Sequence, residues 1–151
     1  MYKNILIAVD GSTAAQRGLV EGLCLAKATG GRVMLVHVVN ALLLESEVAS
    51  TAYYQALAEA FRNEGSKIRE TAAEAARQAG VSFELKMIEK IGAQASDEIV
   101  TAARQWGAEL IVLGTHGRRG LNRLVMGSDA ELVLRQSPVP VLMVREAPAA
   151  E

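Results

Sequence analysis

Ile5-Leu6-Ile7-Ala8-Val9-Asp10-Gly11-Ser12 is the stretch on which the fold turns. A short, nearly unbroken aliphatic run reads as a strand buried on both faces. It ends in Asp-Gly-Ser, residues that favour tight turns and helix N-caps. Directly afterwards Ala15, Leu19, Leu23 and Ala26 recur at helical spacing, and Gly30-Gly31 stop the pattern. The opening unit is therefore strand, turn, helix.

Further out, the same unit returns. Aliphatic runs occupy residues 33–39, 83–88, 110–113 and 139–144. In 83–88, Glu84 and Lys86 alternate with Leu85 and Ile88, which predicts an edge strand, half exposed. Between the runs lie helical stripes. Leu57, Phe61, Ile68, Ala72, Ala75 and Ala79 form one, stopped by Gly80. Ala95, Ile99, Ala102 and Trp106 form another, stopped by Gly107, and a last helix covers about 128–135 ahead of Pro138. Strict β-α alternation predicts an α/β fold, with a five-stranded parallel sheet between two layers of helices. The expected strand order is 3-2-1-4-5, a Rossmann-like winding with right-handed crossovers. No internal repeat or domain boundary interrupts it, so residues 1–146 read as one domain and 147–151 as a frayed tail.

Composition narrows the function. Half of the 151 residues are hydrophobic and 22% are charged, as in a globular domain. The 16 basic and 17 acidic side chains leave a net charge of −1, which is no footprint for nucleic acid or an anionic membrane. Aliphatic runs this short do not span a bilayer. The start of the chain has no signal-peptide pattern, and a cytoplasmic, reducing location is expected. The lone Cys24, between Leu23 and Leu25, reads as a small buried hydrophobe, and no Cys/His cluster suggests a metal site.

The chemistry concentrates in Gly114-Thr115-His116-Gly117-Arg118-Arg119-Gly120-Leu121-Asn122-Arg123-Leu124-Val125-Met126-Gly127-Ser128. This segment leaves the fourth strand, carries four glycines and three arginines, and enters a helix. Glycines let backbone amides approach a ligand, and a helix N-terminus offers unpaired N–H groups and partial positive charge. Such a loop suits phosphate. It is neither a Walker A loop nor a dinucleotide fingerprint, since no Gly-Lys-Ser/Thr and no GxGxxG occurs. On residue types alone, an anion-binding loop and a plain glycine-rich connection both remain open.

The spacing Gly114-x-x-Gly117, nine residues, then Gly127-Ser128 resembles the nucleotide motif of ATP-binding universal stress proteins. The segment 5–12 resembles their first strand and turn, Leu35-Val36-His37-Val38-Val39 their second strand, and residues 137–144 their closing strand. The likeness runs in order through nearly the whole chain. It implies a stress-response regulatory protein that binds ATP or AMP and is not an enzyme, with Mg2+ accompanying the phosphates. Asp10 would hydrogen-bond the nucleoside, with Ala8 nearby, and the Val38 backbone would contact adenine. Gly114 would line the ribose and phosphates. Gly117, Gly127 and Ser128 would cradle the phosphates, with the Asp129 amide and Arg118 beside them. The family resemblance further implies a homodimer in which closing strands, here 139–145, pair antiparallel.

Plainer readings stand beside these. Ser128-Asp129-Ala130-Glu131 is a capping box, so Ser128 could cap its own helix. Asp10, alone or with Ser12, could cap the first helix. His37 reads as a packed structural histidine, whereas His116 falls where it could donate to a phosphate or act as a base. Asp129 places an acid in the first turn of the phosphate helix, which its dipole favours but a polyphosphate would oppose. That weighs against tight ATP binding more than against AMP. The run Leu42-Leu43-Leu44 within 40–51 fits either a loop packed on the domain or a flap over the adenine. Slow ATP hydrolysis or phosphoryl transfer is the alternative function, although no Walker lysine or Mg2+-holding carboxylate pair is evident. A phospho-accepting receiver domain is set aside, because Asp10 has no acidic neighbour and the third strand ends in Glu89-Lys90-Ile91.

Overall fold

The structure is a computed structural model that describes residues 1–40, 52–90, 92, 94–116 and 126–146. The elements are β1 Asn4–Ala8, α1 Thr13–Thr29, β2 Arg32–Asn40, α2 Ala52–Ala79, β3 Phe83–Lys90, α3 Ala95–Trp106, β4 Leu110–Gly114, α4 Ser128–Gln136 and β5 Val141–Val144. All strands are parallel, in the order β3-β2-β1-β4-β5. The expected α/β fold and strand order are what is observed, and the alternating strand β3 is an edge.

Side chains alternate across the sheet and divide the core in two. Ile5, Ile7, Val33, Leu35, Leu110 and Val112 meet Leu19, Leu23 and Ala26 of α1 and Ala72 and Ala76 of α2. Leu6, Met34, Val36, Ile111 and Leu113 meet Ile99, Val100, Ala102 and Ala103 of α3 and Ala130 and Val133 of α4. Both faces of the central strands are thus apolar, which is why their sequence runs are continuous. The first three helices end where glycine permits a left-handed residue, Gly30 at φ 63°, Gly80 at 69° and Gly107 at 70°, whereas α4 ends at Ser137 in an extended conformation ahead of Pro138.

Three local expectations need correction. Cys24 is exposed, not buried. It lies about 100° around α1 from Leu23, outside the buried arc of Leu19, Gly22, Leu23 and Ala26. The fifth strand starts at Val141 and not at 139, because Val139 is engaged in a turn with Ser137, whose Oγ accepts from the Val139 amide and donates to its carbonyl. The buried stripe of α2 centres on Ala72, Ala73 and Ala76, with Ala75 and Ala79 only half-buried.

Candidate functional site

β1 lies between β2 and β4. The chain winds outward from β1 through β2 to β3, then jumps back across the sheet to β4. The winding reverses between β1 and β4, and ligands of such sheets bind beyond the carboxyl ends of the strands there.

Four hydrogen bonds organise this end. Ser12 is the N-cap of α1, and its Oγ accepts from the Ala15 amide at 3.2 Å. The same hydroxyl donates to the His116 carbonyl at 3.2 Å. The Gly127 amide donates to the Thr115 carbonyl at 2.9 Å, and Gly127 is the N-cap of α4. The Thr115 amide donates to the Val144 carbonyl at 2.9 Å. Thr115-His116 is therefore held between the first turns of α1 and α4, two sources of partial positive charge. Gly114 makes this convergence sterically feasible. A Cβ there would lie 2.7 Å from the Ala14 carbonyl carbon and 2.7 Å from the Ala15 nitrogen.

The predicted site residues fall as follows. Asp10 is half-buried, and its Oδ1 accepts from the Ser12 amide at 2.8 Å. It shapes the turn, while capping of α1 belongs to Ser12. Ala8 and Val38 are partly buried beside the α3/α4 half of the core, as are Ile88 and Met126, an apolar patch at the carboxyl end of the sheet. Gly114 and Gly127 stand at the two ends of the segment that joins β4 to α4, and Ser128 and Asp129 are exposed in the first turn of α4. The capping-box reading of Ser128 is corrected: the cap is Gly127 and no side chain caps this helix. The Gly127 carbonyl accepts the first helical bond, from the Glu131 amide at 3.0 Å, so the helix starts at Ser128, one residue earlier than the box requires. Gly117, Arg118, Arg119 and Arg123 fall in 117–125, outside the described residues, as does the leucine run in 41–51.

His37 is 5% exposed, and its Nδ1 pairs with the Val9 carbonyl at 2.7 Å, as expected of a packed histidine. Sequence reasoning missed the tie from Ser12 to His116. Its signal, a serine ahead of a helical stripe, was visible, but its second partner lies 104 residues away. A separate cleft of about 200 Å³ lies between α1 and α2, lined by Gly11, Gln16, Leu19, Lys67 and Ile68. It opens on the opposite face from Ala8 and Val38. Among the described residues no group of His, Cys, Asp or Glu could hold a metal ion, and no helix is long and apolar enough to cross a membrane.

A sequence model of the universal stress protein family matches residues 1–145. The chain is 31% identical over 146 residues to universal stress protein MJ0531 of Methanocaldococcus jannaschii, covering 97% of this chain and 84% of that protein. It is 32% identical over 151 residues to universal stress protein YxiE of Bacillus subtilis, covering 96% and 100%. Among solved structures, protein MJ0577 superposes with a TM-score of 0.79 at 27% identity over 99% of each chain. A universal stress protein in complex with cAMP superposes at 0.68 and 20% identity, covering 97% and 98%. The Archaeoglobus fulgidus protein in complex with dAMP does so at 0.68 and 24%, covering 95% and 98%. At these last identities the likeness speaks to the fold.

Proposed function

The chain belongs to the universal stress protein family, and from that membership we propose that it binds an adenine nucleotide, ATP or AMP, and acts as a dimeric nucleotide-dependent switch in the response to stress. The observation that carries this reading is the convergence of the first turns of α1 and α4 on Thr115-His116, beside the apolar Ala8 and Val38. A nucleotide needs that pairing of surfaces: N–H donors and positive dipole ends for phosphate, and an apolar wall for a base. The residues present therefore fit the ligand. Two solved relatives of the same fold hold adenine nucleotides, cAMP in one and dAMP in the other.

On this reading Ala8, Asp10 and Val38 take the nucleoside, Gly114 lines the ribose, and Gly117, Arg118, Gly127, Ser128 and the Asp129 amide take the phosphates. Any Mg2+ arrives with the phosphates. The protein binds nucleotide and does not turn it over. The switch has a short route to the proposed dimer edge, because Thr115 donates to Val144 and Arg17 Nη1 donates to the Arg145 carbonyl at 2.9 Å.

The test is to denature the purified protein, identify what it releases by mass, and titrate stripped protein with ATP, AMP and GTP. Adenine and guanine reverse donor and acceptor at position 6, so a site paired to one leaves groups unpaired with the other. An adenine nucleotide should be released, and GTP should bind at least about tenfold more weakly than ATP. Equal affinity for ATP and GTP would overturn the proposed pocket, and steady phosphate release from ATP would favour the hydrolase.

A further inference from the structure

His116 carries a ring nitrogen that the fold leaves unsatisfied. Its Nδ1 pairs with Thr115 Oγ1 at 2.9 Å. Its Nε2 is buried and, among the described residues, has no hydrogen-bond partner. Buried polar atoms in folded proteins are almost always paired, so an orphan calls for an explanation.

The Thr115 hydroxyl indicates which proton that nitrogen holds. Thr115 is buried, at 9% exposure, and its hydroxyl has His116 Nδ1 as its partner. If the hydroxyl donates to Nδ1, both atoms are satisfied and the ring proton resides on Nε2. If Nδ1 donated instead, the hydroxyl proton would be buried without an acceptor, which is the costlier arrangement. Nε2 is then an N–H donor lacking an acceptor. It belongs to a residue held between two helix N-termini, through Ser12 Oγ on its carbonyl and the Gly127 amide on the carbonyl before it. The Thr115 and His116 carbonyls are already taken by Gly127 and Ser12, and the positive ends of two helices converge here, so the acceptor that this donor calls for is best supplied by an anion.

We propose that His116 is a phosphate-reading residue: its Nε2–H, set in that tautomer by Thr115, donates to a phosphate oxygen of the bound nucleotide, so that the site distinguishes a nucleotide from its nucleoside. This rests on the nucleotide reading above. It assigns specificity to a side chain, where the glycines and helix ends contribute through backbone alone.

The experiment compares AMP with adenosine by calorimetry on the wild-type chain, His116→Leu, His116→Gln and Thr115→Val. His116→Leu should weaken AMP at least about tenfold and leave adenosine within about twofold. His116→Gln, which restores an N–H at similar reach, should recover most of the AMP affinity. Thr115→Val should give an intermediate loss confined to AMP. Adenosine binding doubles as the check that each variant is folded. Nitrogen NMR of the ligand-free wild type should show the Nε2–H tautomer, a readout independent of binding. Equal losses for AMP and adenosine, an unchanged AMP affinity in His116→Leu, or an Nδ1–H tautomer would each overturn the proposal. Should the wild type bind neither ligand, the nucleotide reading falls, and pyrophosphate then decides the anion site alone. Its loss in His116→Leu upholds the role of His116, and its failure to bind the wild type overturns it.

Discussion

At Gly127 the backbone runs at φ −62° and ψ 144°, a conformation open to any residue. Glycine is therefore not demanded there by backbone geometry, and the proposed function supplies the reason: phosphates approach where a side chain would stand. Gly127→Val should leave the fold intact, at a cost of about 1 kcal/mol for a poorer N-cap. It should weaken both ATP and AMP at least about tenfold, or ~1.4 kcal/mol. Calorimetry on the folded variant checks this, and full affinity would remove Gly127 from the site. Asp129 makes a second case. It is exposed in the first turn of α4, where the dipole welcomes its charge and a phosphate chain does not. Asp129→Asn should strengthen ATP binding more than AMP binding, since repulsion grows with the charge brought near. Equal gains for the two nucleotides would mean that this carboxylate faces away from the phosphates.

The elements meet through glycines that differ in what surrounds them. Gly114 brings β4 against the backbone of α1, where a Cβ would meet main-chain atoms at 2.7 Å. Gly65 brings α2 against the sheet, where a Cβ would meet the terminal methyl of Met87 at 3.3 Å and the His37 ring at 3.7 Å. Backbone in two packed elements yields little, whereas the end of a methionine yields readily. Gly114→Ala should thus destabilise the fold by about 1–3 kcal/mol. Gly65→Ala should be neutral or stabilising by up to about 1 kcal/mol, because it also removes a glycine from a helix interior. Urea midpoints at constant slope measure both, and a destabilising Gly65→Ala would show that α2 cannot shift. The strands and the helix-stopping glycines were legible in the sequence because each rests on local periodicity or a single left-handed residue, and the strand order followed from the winding that such alternation takes. What escaped depended on tertiary contact. Cys24 sits beside two leucines in sequence yet faces solvent. Ser128 looks like a cap, but the Gly127 carbonyl accepts from the Glu131 amide and starts the helix one residue earlier. The close passage of Gly114 over Ala14 and the bond from Ser12 to His116 link segments about a hundred residues apart, where spacing carries no signal.

In the molecule as a whole, the two edges of the sheet differ. β3 is half polar, whereas β5 is aliphatic throughout, with Leu142 37% exposed. Ile111 donates to the Pro140 carbonyl and Thr115 to the Val144 carbonyl, so the even-numbered residues of β5 turn their backbone groups toward β4. By alternation, Val141 and Met143 turn theirs outward. The ring of Pro140 therefore removes a donor on the inner side and leaves the outer edge able to pair. An aliphatic edge of this kind invites a second strand, and a two-fold axis supplies its own copy. Light scattering should give about twice the chain mass, and Met143→Pro, which deletes an outward donor, should shift the protein toward monomer or aggregate. A clean monomer at high micromolar concentration would exclude this assembly. The bond from the Gly127 amide to the Thr115 carbonyl has a consequence of another kind. It ties Thr115, at the end of β4, to Gly127, at the start of α4, so the two ends of the connection between them are held within one hydrogen bond of each other. A segment whose ends are tied in this way can be exchanged as a cartridge. Doubling its length would add only about 0.6 kcal/mol of closure entropy. One scaffold can then be refitted for different anions by exchanging the cartridge alone, which offers protein engineers a place to graft new ligand chemistry and evolution an inexpensive site for divergence.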